Sequence, residues 1–166
     1  MRHFPDRDCC FERDGFWFRY RAAAIIIEDG YVLMAYNDVE DHYYSIGGGV
    51  HLGETSEQAV IREVKEETGI TYDVERLAFV NEGMFYGDGH LSGKQCHVIE
   101  FYYLMKPKGK RLIENGDSRG KSLDTPEYLQ WIPIEEFAEY KAFPEFFSEK
   151  LCKVPEMIEH YISDER

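Results

Sequence analysis

The stretch GGVHLGETSEQAVIREVKEETGI, residues 48–70, decides how this chain is read. It packs five glutamates, Glu54, Glu57, Glu63, Glu66 and Glu67, into a loop followed by a helix. Thr55 or Ser56 is placed to cap that helix by accepting a bond from a free backbone N–H of its first turn. Gly69 supplies the stop, because glycine readily takes the left-handed conformation past a helix end. At about 100° of rotation per residue, Val60, Ile61 and Val64 form an apolar stripe, with Glu63, Glu66 and Glu67 on a second stripe beside it. Ala59 lies one turn before Glu63, where a small residue leaves room for something bound. Arg62 is expected to point away from the acids and to pair with Glu54, fixing the loop against the helix.

Like charges three and four residues apart destabilise a helix, by roughly 0.2–0.5 kcal/mol per pair. Three carboxylates at the edge of a buried stripe therefore make little sense as scaffold. A hard divalent cation resolves the repulsion, and Mg²⁺ prefers oxygen ligands while keeping several waters.

Working outward, the 166 residues suggest one domain, with residues 1–15 as a polar arm and 141–166 as a helical C-terminal segment. With 12 Tyr and 11 Phe a substantial core is expected. The net charge of −13 argues against general binding to nucleic-acid backbone or to anionic membranes, both of which need clustered Lys and Arg. An anionic small molecule stays compatible if a metal supplies local positive charge. There is no long apolar run and no signal-peptide pattern. Cys9, Cys10, Cys96 and Cys152 lack zinc-type spacing and read as free thiols of a cytoplasmic protein.

Residues 21–28 (RAAAIIIE) read as a buried strand, preceded by the aromatic run Phe16, Trp17, Phe18. That run is a candidate for pairing across a homodimer. Asp29-Gly30 is a two-residue hairpin signal leading to a return strand over 31–36. Further strands are expected at 43–46, 74–80, 84–86, 96–105 and 128–132. Residues 106–125 form a long polar stretch, a hairpin tip or mobile loop, locally basic through Lys106, Lys108, Lys110, Arg111, Arg119 and Lys121. Helices are expected at 134–139 and 143–151, and helical spacing continues over 155–162. Strands around one glycine-led helix, followed by helices, suggest an α/β fold with a mixed sheet between helical layers.

The spacing Gly48-x5-Glu54-x7-Arg62-Glu63-Val64-x-Glu66-Glu67-x-Gly69-Ile70 resembles the Nudix box with every fixed position filled. The resemblance implies an α/β/α sandwich and a Nudix hydrolase. Such an enzyme splits a nucleoside diphosphate linked to another moiety X by water attack on phosphorus, with Mg²⁺ or Mn²⁺ as cofactor. Carried over residue by residue, Glu63 and Glu67 are metal ligands and Glu66 is a third ligand or the general base. The backbone of Gly47 or Gly48 completes the metal shell, and a further acid is expected from Asp124 or Glu127. Arg19 and Arg21 alternate onto one strand face and are candidates to reach substrate phosphates. Tyr43 or Tyr44 is a candidate to stack on a base. Glu54, Arg62, Gly48 and Gly69 are expected as structural support. A non-catalytic nucleotide-binding domain of the same fold would be expected to lose box acids, and this chain keeps them all. Two departures from the family pattern are Ile46 in place of a proline before the glycines, and the absence of the proline beyond the box that ADP-ribose-cleaving members tend to carry. The X group is expected to be read by the loops at 37–42, 87–93 and 106–125.

Overall fold

A computed structural model describes residues 7–122 and 124–166. The first six residues of the expected arm and the side chain of Lys121 lie outside the described residues. Among the described residues, twelve strands fall into two mixed sheets. The first has the order β1 (Cys10–Arg13), β2 (Phe16–Ile25), β8 (Gln95–Met105), β7 (Val74–Tyr86), β12 (Glu159–Asp164), with β6 (Gly47–Gly49) also pairing with β2. The second runs β11 (Ala142–Phe143), β5 (Tyr43–Ser45), β4 (Tyr31–Asn37), β10 (Thr125–Pro133), β9 (Ser118–Ser122), with β3 (Ile27–Glu28) on β4.

The alanine-rich run joins the layers. Successive strand side chains point to opposite faces, so Ala22 and Ala24 enter the core under the box helix α1 (Ser56–Thr68). Ala23 and Ile25 enter a second core closed by Phe137 and Phe147, the latter on the short helix α2 (Phe147–Lys150). Helices on either side of the sheets give the expected layering, with the mixed sheet divided in two. Asp29 and Gly30 both have positive φ, 51° and 80°, as a two-residue hairpin turn requires.

The helix α1 follows its sequence signals. Thr55 is the cap, in a reciprocal box with Gln58, and Gly69 closes the helix at φ 73°. Val60 and Val64 are fully buried, and each contributes about 1.5–3 kcal/mol by leaving water. Ala59 is also fully buried against this core. Its small size serves close packing, not the open space expected beside the acids.

Three further expectations are corrected. Residues 7–13 are not a loose arm: Cys10–Arg13 pairs antiparallel with β2, and residues 7 and 9 bond to 52 and 50. The C-terminal segment is only briefly helical. Glu159–Asp164 is a strand lying parallel to β7, with half-buried and exposed positions alternating. Helical and strand patterns overlap over so few residues, and the open edge of β7 decides between them. Finally, of the 106–125 stretch, read as a hairpin tip or mobile loop, Ser118–Ser122 does form a hairpin with β10, and the 106–117 part is docked, not mobile. The buried Glu28 carboxylate accepts from the backbone N–H of Lys108 and Gly109, and Trp131 Nε1 donates to the Ile113 carbonyl at 2.8 Å. Among the described residues no helix is long and apolar enough to cross a membrane.

Candidate active site

The site forms where the glycine strand β6 meets α1 and β10. Gly47–Gly49 runs antiparallel to Arg21–Ala23 on the crowded strand β2. A Cβ on Gly47 (φ 145°) would lie 2.2 Å from the Ala22 carbonyl oxygen, and one on Gly48 would lie 2.5 Å from Glu63 Oε1. Glycine therefore lets the strand sit against β2 on one side and against a helix carboxylate on the other.

Glu67 occupies the inner end of this contact. Its Oε1 accepts from the Gly47 N–H at 3.0 Å, and its Oε2 is buried with no donor among the described residues. Burial pushes the Glu67 carboxyl well above its ordinary range, and the neighbouring carboxylate of Glu127 pushes in the same direction. Glu127 is itself buried, and its Oε2 accepts from the Tyr44 hydroxyl at 2.7 Å. Asn37 Nδ2 donates to Tyr44 Oη at 3.2 Å, tying β4 into the same cluster. Gly120 on β9 closes the back: a Cβ there would stand 3.3 Å from Glu67 Cα and 3.5 Å from Glu127 Oε1.

The outer end is organised by Arg62. Its Nε and Nη2 each donate to a Glu54 oxygen at 2.9 Å, and Nη2 also reaches the Gly49 carbonyl at 3.0 Å. The expected clamp on Glu54 is present, but Arg62 does not point away from the acids. Its Nη1 donates to Glu63 and, at 3.4 Å, to Glu66. The guanidinium is long enough to serve both sides of its own helix turn. Burial raises the Glu63 pKa and outweighs the pull of Arg62, whereas at Glu54 the burial effect is overcome by hydrogen bonds from Arg62 and the His51 N–H together with their charges, and its pKa is lowered. Glu66 is the exposed member, with 59 % of its side chain open to solvent. Replacing Arg62 by alanine leaves Glu54 and Glu63 without their cation. Urea unfolding should show a loss of about 1.5–3 kcal/mol, of which lysine recovers little because it lacks the fork. An alanine variant as stable as wild type would contradict the clamp.

The remaining candidates separate. Arg21 is turned inward: it donates to the Ser45 carbonyl at 2.6 Å, to Ser45 Oγ at 3.1 Å, to Glu100 at 3.2 Å and to the Gly47 carbonyl at 3.4 Å. It holds the approach to the glycine strand, where the sequence suggested a phosphate contact. Arg19, on the same strand face, pairs with Asp8 at 3.5 Å. Tyr44 is half-buried and brings its hydroxyl to Glu127. Asp124 sits exposed in a turn at φ 62°, so of the two late acids only Glu127 joins the box. Asn37, Asp8, Gly120 and Glu100 were not singled out from sequence. Glu100 had a signal, as the one acid in the apolar strand CHVIEFYYLM, and its other oxygen accepts from Asn81 at 3.1 Å. The others had none.

Among the described residues no three His, Cys, Asp or Glu side chains converge into a ready-made metal cage. Glu63 is drawn to Arg62, while Glu67 and Glu127 lie together further in. The donor set still suits a hard cation. Glu127 is buried and stands with Glu67 beside Gly120, and one Glu67 oxygen, shut off from solvent, has no donor among the described residues.

A profile of the NUDIX domain matches residues 17–150. Over 118 residues the chain is 34% identical to "Putative mutator protein MutT4" of Mycobacterium tuberculosis, a match covering 70% of this chain and 42% of that protein. It is 29% identical over 140 residues to "RNA pyrophosphohydrolase" of a Nitratiruptor species, covering 76% of this chain and 84% of that one. The chain thus spans less than half the length of the mutator-type relative. Among solved structures, a MutT protein of Bacillus halodurans superposes with a TM-score of 0.63 at 19% identity, covering 87% of this chain and 90% of its own. The matched profile and the shared architecture, together with the intact box placed on α1, make this chain a member of the Nudix family.

Proposed function

We propose that this domain is a Mg²⁺-dependent Nudix pyrophosphohydrolase that cleaves a phosphoanhydride in a nucleoside diphosphate linked to a further moiety X. The observation that carries this reading is Glu127, buried beside Glu67 at the glycine strand, with a Glu67 oxygen shut off from solvent that no donor among the described residues satisfies. A carboxylate-held divalent cation neutralises phosphate oxygens, orients a water and stabilises the leaving group. Glu67 and Glu127 would hold it, with Glu63 and the backbone of Gly47 beside them. The similarity to an RNA pyrophosphohydrolase supports hydrolysis at phosphorus.

The chain's own groups divide the work. Gly47 orients Glu67 through its N–H, Tyr44 fixes Glu127, and Arg62 keeps Glu63 against Gly48. Glu66, open to solvent on the same face, is the acid placed to accept a proton from an attacking water. Free thiols at Cys9, Cys10, Cys96 and Cys152 support a cytoplasmic setting. The test is a panel of nucleoside triphosphates, nucleotide sugars, dinucleoside polyphosphates and coenzymes, incubated with Mg²⁺ and with chelator. A nucleoside monophosphate product that appears only with the metal is expected. Release of none from the whole panel, with Mg²⁺ or Mn²⁺, would overturn the reading.

A further inference from the structure

Among the described residues Arg62, Arg21 and Arg19 border the acids, and the first two have their donors committed. Arg62 serves Glu54, Glu63, Glu66 and the Gly49 carbonyl, while Arg21 serves Ser45, Glu100 and the Gly47 carbonyl. Arg19 differs. Among the described residues its close polar contact is an ion pair with Asp8 at 3.5 Å, longer than a hydrogen bond. It also lies within the fields of Glu63 and Arg21.

Asp8 belongs to the N-terminal segment, and its position is closely defined. Leu52 N donates to the Arg7 carbonyl at 2.9 Å and Cys9 N to the Val50 carbonyl at 2.7 Å, while Asp8 bridges to His51. Its carboxylate rests directly on Gly49, where an added Cβ would stand 2.0 Å from Asp8 Oδ2. Its other oxygen is 3.5 Å from His51 Nε2. An arginine near Glu63 and lacking any other acid would close on that carboxylate, as Arg62 does. Asp8 offers a competing partner on the far side of Gly49.

We propose that Asp8 is a positioning residue: seated on Gly49, it holds Arg19 at the rim of the acidic centre, beside His51, where the Arg19 donors take the diphosphate oxygens of the substrate. This rests on the hydrolase reading above. The N-terminal segment thereby becomes part of the substrate-binding wall, and Gly49 acquires a reason of its own, since any side chain would unseat Asp8.

The experiment compares wild type with Asp8→Asn, Arg19→Ala and the double variant. It measures kcat and KM on the best panel substrate, and the dissociation constant of α,β-methylene ADP in Mg²⁺ by calorimetry. Asp8→Asn keeps the shape and removes the charge. It should raise KM and the dissociation constant about tenfold, with kcat within about twofold. Arg19→Ala should weaken binding at least as much, and the double variant no further than Arg19→Ala alone. Unchanged binding in Asp8→Asn, or losses that add in the double variant, would overturn the proposal while leaving the hydrolase intact. A loss of melting temperature with KM unchanged would reduce Asp8 to a structural contact and overturn it equally. A wild-type chain that neither turns over nor binds any nucleotide would sink the hydrolase reading and this inference together.

Discussion

Replacing Glu67 by glutamine is expected to lower metal-dependent turnover by about 10²–10⁴-fold while making the metal-free protein more stable at pH 8. Both effects have one cause. One oxygen of the carboxylate is shut off from solvent near Glu127 and no donor among the described residues satisfies it, an arrangement that suits a cation and is unfavourable without one. Its pKa in the folded chain is raised well above 4.5, so between that value and the raised one the native state binds more protons than the unfolded state. Stability therefore falls as pH rises through that window. Glutamine removes the titration, can still accept from Gly47 N–H, and can donate to Glu127. For a chain of this size each kcal/mol regained raises the melting temperature by about 2–4 °C. The gain should be present at pH 8 and absent near pH 4, where wild-type Glu67 is protonated in both states. Added Mg²⁺ should stabilise wild type and leave the variant unmoved. A variant with full activity, or one with lower stability at pH 8 in the absence of metal, contradicts this account of the residue.

Gly47→Ala is expected to cost about 3 kcal/mol or more, combining backbone strain at φ 145° with overpacking. The new Cβ would stand 2.2 Å from the Ala22 carbonyl oxygen and 2.6 Å from Ala23 Cα. Both are backbone atoms of a strand buried on two faces, and neither moves without disturbing both cores. Relief by shifting β6 would lengthen the 3.0 Å bond from Gly47 N to Glu67, so activity should fall with stability. Gly30→Ala provides a comparison. It also has positive φ but open space around it, so it incurs strain alone. Denaturant unfolding of the two variants should separate strain from collision. Equal losses would show that the close approach at Gly47 contributes nothing.

What the sequence made legible follows from how local each signal was. The box helix, its caps and its face-by-face division need only neighbours within two turns, and they appear as expected apart from Ala59 and Arg62. The hairpin at Asp29-Gly30 was equally local. The C-terminal strand was not: helical spacing over 155–162 is real in the sequence, but the open edge of β7, about 80 residues away, decides the outcome. The site divided along the same line. Glu63, Glu66 and Glu67 come from one helix and were readable together. Asp8, Asn37 and Glu127 converge on it from three separate segments, and Glu127 was one of two candidates until β10 paired with β4 and carried it next to Tyr44. The case of Arg19 and Arg21 shows the limit of strand alternation. It placed both on one face but gave no sign that Ser45 and Glu100 would occupy one of them and Asp8 the other.

The central claim is that Glu67 and Glu127, distant in sequence, together hold the catalytic cation. The most direct test is Mn²⁺ binding followed by loss of the free-ion electron paramagnetic signal, for wild type and for Glu127→Gln. The account predicts saturable binding by wild type and an affinity at least about tenfold weaker in the variant, with the fold retained. A Glu127→Gln protein that binds Mn²⁺ as tightly as wild type would contradict it.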